Sequence, residues 1–138
     1  MRQSMLVFAF SVLGFGALSA FAGCAPKLGD GCSTDYDCSV NNDRDCDRSQ
    51  PGGYCTISNC EPGSCGPGGV CVRFKPDEPR LSSDWCMATC SETGDCDRDR
   101  YVCRSATQLN EEEGVDPDKR VAEVLEGRDG RKFCVVGD

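Results

Sequence analysis

With 138 residues the chain has the length of one domain; fifteen basic and twenty-three acidic side chains give it a net charge of −8, and it has no histidine. That acidity argues against nucleic acid and anionic lipid surfaces as partners, and the missing imidazole removes the usual metal ligand, the usual general base and any Ser-His or Cys-His pair. Thirteen cysteines point instead to a small scaffold cross-linked by disulfides in an oxidising compartment.

The first element is an export signal. Behind Arg2 and the amino terminus, Met5 to Ala22 is continuous apolar sequence broken only by Ser and Gly, the layout of a cleavable segment. It is also about long enough to stay as a membrane-spanning helix, but small residues crowd its exit and no basic cluster follows. Two processing routes fit. Ala20-Phe21-Ala22 offers an A-x-A cut before Gly23, and Ala20 to Cys24 resembles a bacterial lipobox, in which the cysteine is acylated before cleavage on its amino side. Cysteine parity favours the second. Acylating Cys24 leaves twelve cysteines, enough for six bridges at Cys32, Cys38, Cys46, Cys55, Cys60, Cys65, Cys71, Cys86, Cys90, Cys96, Cys103 and Cys134, whereas a cut before Gly23 exports an odd thiol.

The expected organisation is therefore a signal peptide over 1–23, a lipidated cysteine and tether over 24–31, and one disulfide-rich region over 32–138. Beyond Cys24 the basic residues number fourteen once Arg2 is removed, against the same twenty-three acidic ones, for a net charge of −9. Large aliphatics are few and the aromatics are scattered singly, so burial alone would hardly offset chain entropy. Bridges worth about 3 kcal/mol each must supply much of the stability.

Within that region the motif C-S-T-D-Y-D-C at Cys32 recurs as C-S-E-T-G-D-C at Cys90. Acidic residues follow each copy, then a tyrosine near a cysteine, Tyr54-Cys55 and Tyr101-Val102-Cys103, which suggests two loosely repeated halves over about 32–72 and 86–134. Strand-like runs at Cys55 to Ser58 and Val70 to Phe74, among Gly and Pro turn signals, predict short hairpins. Arg73 to Asp84 has no cysteine, but seven bridging cysteines precede it and five follow, so at least one bridge must cross it. In Arg104 to Phe133 the spacing predicts one short helix over about 117–126: Asp116 as N-cap, Pro117 at the first position, Val121, Val124 and Leu125 on one face, Gly127 past the end. Glu111, Glu112 and Glu113 read as a solvated charge run. The fold class is small and disulfide-rich, mostly loops and short β-hairpins with that one helix.

No two cysteines are spaced C-x-x-C, which argues against thioredoxin-type redox sites, zinc ribbons and most iron–sulfur sites. No G-x-S-x-G or S-x-x-K surrounds any serine, and raising a carboxylic acid's pKa needs burial that a small, exposed chain offers poorly. The expectation is no enzyme and no cofactor. Two D-x-D-x-D runs, Asp43, Asp45, Asp47 and Asp95, Asp97, Asp99, are weak calcium candidates; the EF-hand glycine and bidentate glutamate are missing from both, and interleaved arginines suggest ion-paired, solvated loops.

The stretch W-C-M-A-T-C-S-E-T-G-D-C-D-R-D-R-Y-V-C, with G-D-G-C-S-T-D-Y-D-C and the final F-C-V-V, resembles cysteine-rich lipoproteins of the myxobacterial type. Cys86, Cys90 and Cys96 also resemble part of the whey-acidic-protein type of protease inhibitor, without its adjacent cysteine pair. The first resemblance implies a lipoprotein anchored in the outer membrane by acyl chains on Cys24, with Ala25 in place of an inner-membrane-retaining aspartate and an envelope protein as possible partner. The second implies a secreted inhibitor or binding module. The long cysteine-free segments Pro76 to Ser83 and Gln108 to Arg131 are the expected recognition surfaces.

Overall fold

The computed structural model describes residues 25–112, 114–127 and 130–137. The stretch expected to be an export signal, Cys24 and Glu113 lie outside them.

The twelve remaining cysteines pair in three consecutive groups of four, and each group uses the same order: first with third, second with fourth. The pairs are Cys32–Cys46 and Cys38–Cys55, Cys60–Cys71 and Cys65–Cys86, Cys90–Cys103 and Cys96–Cys134. Cys65–Cys86 is the bridge that crosses the cysteine-free Arg73 to Asp84 segment.

One local rule generates all three groups. The third and fourth cysteines face each other across an antiparallel strand pair: Cys46 on β1 (Asp45–Cys46) opposite Cys55 on β2 (Cys55–Thr56), Cys71 on β3 (Gly69–Phe74) opposite Cys86 on β4 (Ser83–Ala88), and Cys103 on β5 (Tyr101–Ser105) opposite Cys134 on β7 (Lys132–Val136). Directly opposed residues project from the same face about 5 Å apart, so both cystines leave together and tie the strand pair to the loop before it. Three sulfurs of each group consequently lie within 4.8 Å of one another. Strands of two residues would not hold on their own, and here the bridges hold them.

The modules merge through the long excursion between Cys103 and Cys134. It carries α2 (Ala106–Asn110) and β6 (Ala122–Val124), and β6 pairs with the free edge of β3, giving a three-stranded sheet ordered β4-β3-β6. The core gathers side chains from every module: Tyr54, Val70, Val72, Met87, Leu109 and Phe133 are all buried. Tyr54 stacks on Tyr101 with centroids 5.6 Å apart, and Phe74 meets Phe133 edge-on at 6.4 Å.

The described residues thus form a small disulfide-rich fold of strands and loops with two short helices, α1 (Asp35–Cys38) and α2. The helix expected over about 117–126 does not form. Asp116, instead of capping a helix, closes a turn in which its carbonyl accepts from the Lys119 N–H and its side chain from the Asp118 N–H. Ala122 and Val124 are buried with exposure alternating between them, because β3 offered a sheet edge. Pairing with that edge won over a weak 3.6-residue pattern.

Candidate functional site

The two C-S-x-x-x-D-C loops fold alike. Asp37 accepts from the N–H groups of Ser33 and Thr34, both at 2.8 Å, and Asp95 accepts from those of Ser91 and Glu92 at 2.7 and 3.1 Å. Each aspartate caps a single helical turn, α1 in one case and a 3-10 turn at Thr93–Cys96 in the other. Those backbone donors hold both carboxyls below the usual aspartate range. The shared serine lends its N–H and the shared aspartate its carboxylate to this cap; of the three variable positions between them, Tyr36 against Gly94 bears an exposed ring in the first copy.

The calcium candidates do not converge. Asp45 accepts from the Ser58 hydroxyl at 2.6 Å, Asp47 from the Ser49 N–H and hydroxyl at 3.0 and 2.6 Å, Asp43 from the Ser39 hydroxyl, and Asp95 serves the cap just described. Asp97 and Asp99 join no such group. Among the described residues, the only sets of potential metal ligands gathered within 4.8 Å are cysteines already bridged. Among the described residues none of these aspartates forms a salt bridge with an interleaved arginine, although the Arg44 charge helps to lower Asp43. Arg44 donates to the Pro26 carbonyl, and Arg98 donates to the carbonyls of Gly29 at 3.0 Å and Pro51 at 2.7 Å while its guanidinium lies 4.3 Å from the Tyr101 ring centroid.

Those carbonyls reveal that residues 25–31 are no free tether. The Gly29 N–H donates to Cys55 and the Cys55 N–H donates to Asp30, both at 2.9 Å. Leu28 packs on the Cys60–Cys71 and Cys65–Cys86 bridges. The segment is fastened to the body up to its first described residues.

The two expected recognition loops are one edge. Arg120 forks onto Asp77 at 2.7 and 3.1 Å, and its backbone N–H reaches the same carboxylate at 2.9 Å; Lys119 meets Glu78 at 3.3 Å. The Arg120 side chain and N–H hold Asp77 down at about 2. Nor is Gln108 to Arg131 dispensable: Leu109, Ala122 and Val124 are buried, and the Asn110 carboxamide accepts from the Val121 and Ala122 N–H groups. The turn between α2 and β6 faces solvent. Glu112 in that turn lies 3.6 Å from Arg104.

Two clefts stand out on the described surface. One, of about 650 Å³, lies between the Ala25 to Gly31 segment and the third module, beside Arg44, Asp97 and Arg98. The other, of about 440 Å³, sits where the three modules meet. Phe74 and Trp85 from the sheet, Tyr54 and Tyr101, and Met87 and Val136 wall it, with Asp47, Ser49, Gln50 and Ser83 also lining it. A concave, mostly apolar cavity with a few polar groups is the usual form of a binding site. Sequence reasoning missed it because its rings come from positions far apart in the chain, each unremarkable alone.

Tyr54 is the pivot of this region. Its hydroxyl donates to the Cys134 carbonyl at 3.2 Å and accepts from the Ala88 N–H at 2.9 Å, linking all three modules through one buried oxygen. Burial pushes its ionisation far above the usual phenol range, so it stays neutral and serves as a strut. No family model matches the chain, and no curated protein or solved structure was found similar to it.

Proposed function

We propose that the protein is a lipid-anchored, non-catalytic recognition domain of the bacterial cell envelope, held in the outer membrane by acyl chains on Cys24. The observation that carries the reading is the complete intrachain pairing of the other twelve cysteines. Cys24 therefore has no disulfide partner within its own chain, and it stands directly behind small residues at the exit of an apolar segment. Lipidation accounts for a thirteenth cysteine that would be a liability as an exposed thiol. With residues 25–31 fastened to the body, such an anchor would hold the domain close to the bilayer.

A non-catalytic role is supported by the use made of the polar groups. The carboxylates at the D-x-D-x-D runs and at the caps hold turns, the buried tyrosine is a strut, and the cysteines are cross-links. The alternative of a secreted binding module differs only in processing. Replacing Cys24 with Ser should release the protein from membranes with six bridges intact, and the native product should carry the mass of its acyl chains. Membrane association unchanged by Cys24→Ser would overturn the anchor, and fractionation with the inner membrane would overturn the sorting.

A further inference from the structure

We propose that the cleft between the three modules receives a lysine or arginine side chain of a partner polypeptide, with Asp47 as its counter-charge. The proposal deepens the recognition reading above and rests on it.

The cavity, about 440 Å³, lies within the range of small-ligand sites. Its walls are aromatic and aliphatic, and among the residues lining it Asp47 alone carries a formal charge. That carboxylate is fixed in place: Oδ1 accepts from the Ser49 N–H and hydroxyl, while the Asp47 backbone exchanges hydrogen bonds with Tyr54. Among the described residues, Oδ2 accepts no hydrogen bond and no cation pairs with Asp47. Arg98, which packs on the Tyr101 ring, is committed to two carbonyls and does not line the cleft.

This combination selects its occupant. A long cationic side chain lays its methylenes along apolar walls and keeps its charged head at a polar rim, and ring faces such as those of Trp85 and Phe74 attract a cation further. A neutral apolar side chain would leave the oriented carboxylate unused. An acidic one would be repelled, here and by the net charge of −8 over the whole chain.

Trp85 is the only tryptophan in the chain and lines the cleft, so its emission reports occupancy without a label. The full chain in detergent is titrated with N-acetyl-lysine N-methylamide, its norleucine isostere and its glutamate counterpart. The lysine probe should give a saturable Trp85 change at about tenfold lower concentration than norleucine, the size expected for one hydrogen bond to a charged group, and added salt should narrow the gap. Asp47→Asn should abolish the preference while leaving norleucine unchanged. Gln50→Lys, which sets a cation of the chain's own at the rim, should weaken the lysine probe, and Asp77→Asn, outside the cleft, should change nothing. Equal response to lysine and norleucine, a lysine preference that survives Asp47→Asn, or tighter glutamate binding would each overturn the proposal. Membrane release by Cys24→Ser is read separately, so failure of the cleft and failure of the anchor are distinguishable.

Discussion

The first and third modules start from the same loop and end with different jobs. Both open with C-S-x-x-x-D-C, cap one helical turn with the aspartate, and pair their cysteines first to third and second to fourth. In the first, the second bridge spans 17 residues; in the third it spans 38, and the extra chain carries α2 and β6 to the middle module's sheet. The lesson is a division of labour. The cap and the opposed cysteines set the module's geometry, while the length between the third and fourth cysteines is free to grow, because loop closure costs rise only logarithmically. The short module is a clamp; the long one contributes an edge strand, a helix and much of the core.

The largest effect that tests this comparison is removal of the bridges. Full reduction should abolish the fold, read as loss of near-native circular dichroism and protease resistance; a reduced chain that kept both would show that burial suffices. Single removals should rank by loop length. In the chain-entropy account, Cys38→Ala with Cys55→Ala costs about 3 kcal/mol and Cys96→Ala with Cys134→Ala about 4 kcal/mol, and denaturant midpoints should order accordingly. The reverse order would mean that the excursion is held by its own packing.

The equivalent tyrosines come next. Tyr54→Phe strips the buried Ala88 N–H and Cys134 carbonyl of their partner, a loss of about 1–3 kcal/mol. Tyr101→Phe removes one bond, to the Pro51 carbonyl at 3.0 Å, and should cost about 1 kcal/mol or less. Equal midpoints for the two variants would show that the modules share the strain evenly. Gly53→Ala belongs with the larger of these. Its φ of 69° is left-handed, and a Cβ there would lie 2.0 Å from the Cys32 carbonyl oxygen, so the first module would have to open to admit it.

How much of this was legible in the sequence depends on how local each signal was. The recurrence at Cys32 and Cys90 is local, and both copies do fold alike; the run Val70 to Phe74 sets Val70, Val72 and Phe74 at every second position and lies in β3. Parity required a bridge across Arg73 to Asp84, and Cys65–Cys86 supplies it. The pairing order was not legible, because it depends on which cysteines face each other across strands. Nor was the fate of Ala122 to Val124, where the capping signals around Asp116 and Gly127 were genuine turn signals put to another use by the β3 edge. The cleft was the least legible feature. Its identity lies in the meeting of Tyr54 and Tyr101, which the repeat relates, with Phe74 and Trp85, which no period or motif connects to them.

The caps give a subtler test. Asp37 and Asp95 are both depressed by backbone donors from their own loops, so their stabilisation is present above the ordinary aspartate value of 3.8 and is lost as pH falls through each folded value. If the loops are equivalent, Asp37→Asn and Asp95→Asn should lower acid-range stability by similar amounts, each less than Tyr54→Phe. A marked asymmetry in acid midpoints would show that the longer module supports its cap from elsewhere.

The smallest predicted effect lies where the excursion of the third module meets the loop after β3. Asp77 is held at about 2, first by the Arg120 side chain and then by the Arg120 N–H, and the first module has no counterpart to this latch. Because the folded value is depressed, the contribution is complete above about 4, the ordinary aspartate range, and disappears as pH falls from there towards 2. The ion pair is largely solvated, with side chains 49% and 34% exposed, so the core should not respond. Screening by salt should weaken the latch before anything else. Amide exchange at Arg120 should accelerate between pH 4 and 2 while exchange at Val72 and Cys71, inside the sheet, stays protected. Arg120→Gln should bring the Asp77 titration back towards 3.8. An Asp77 midpoint near 3.8 in the unaltered protein would show that the two loops are not latched in solution, and that β6 is held to β3 by backbone pairing alone.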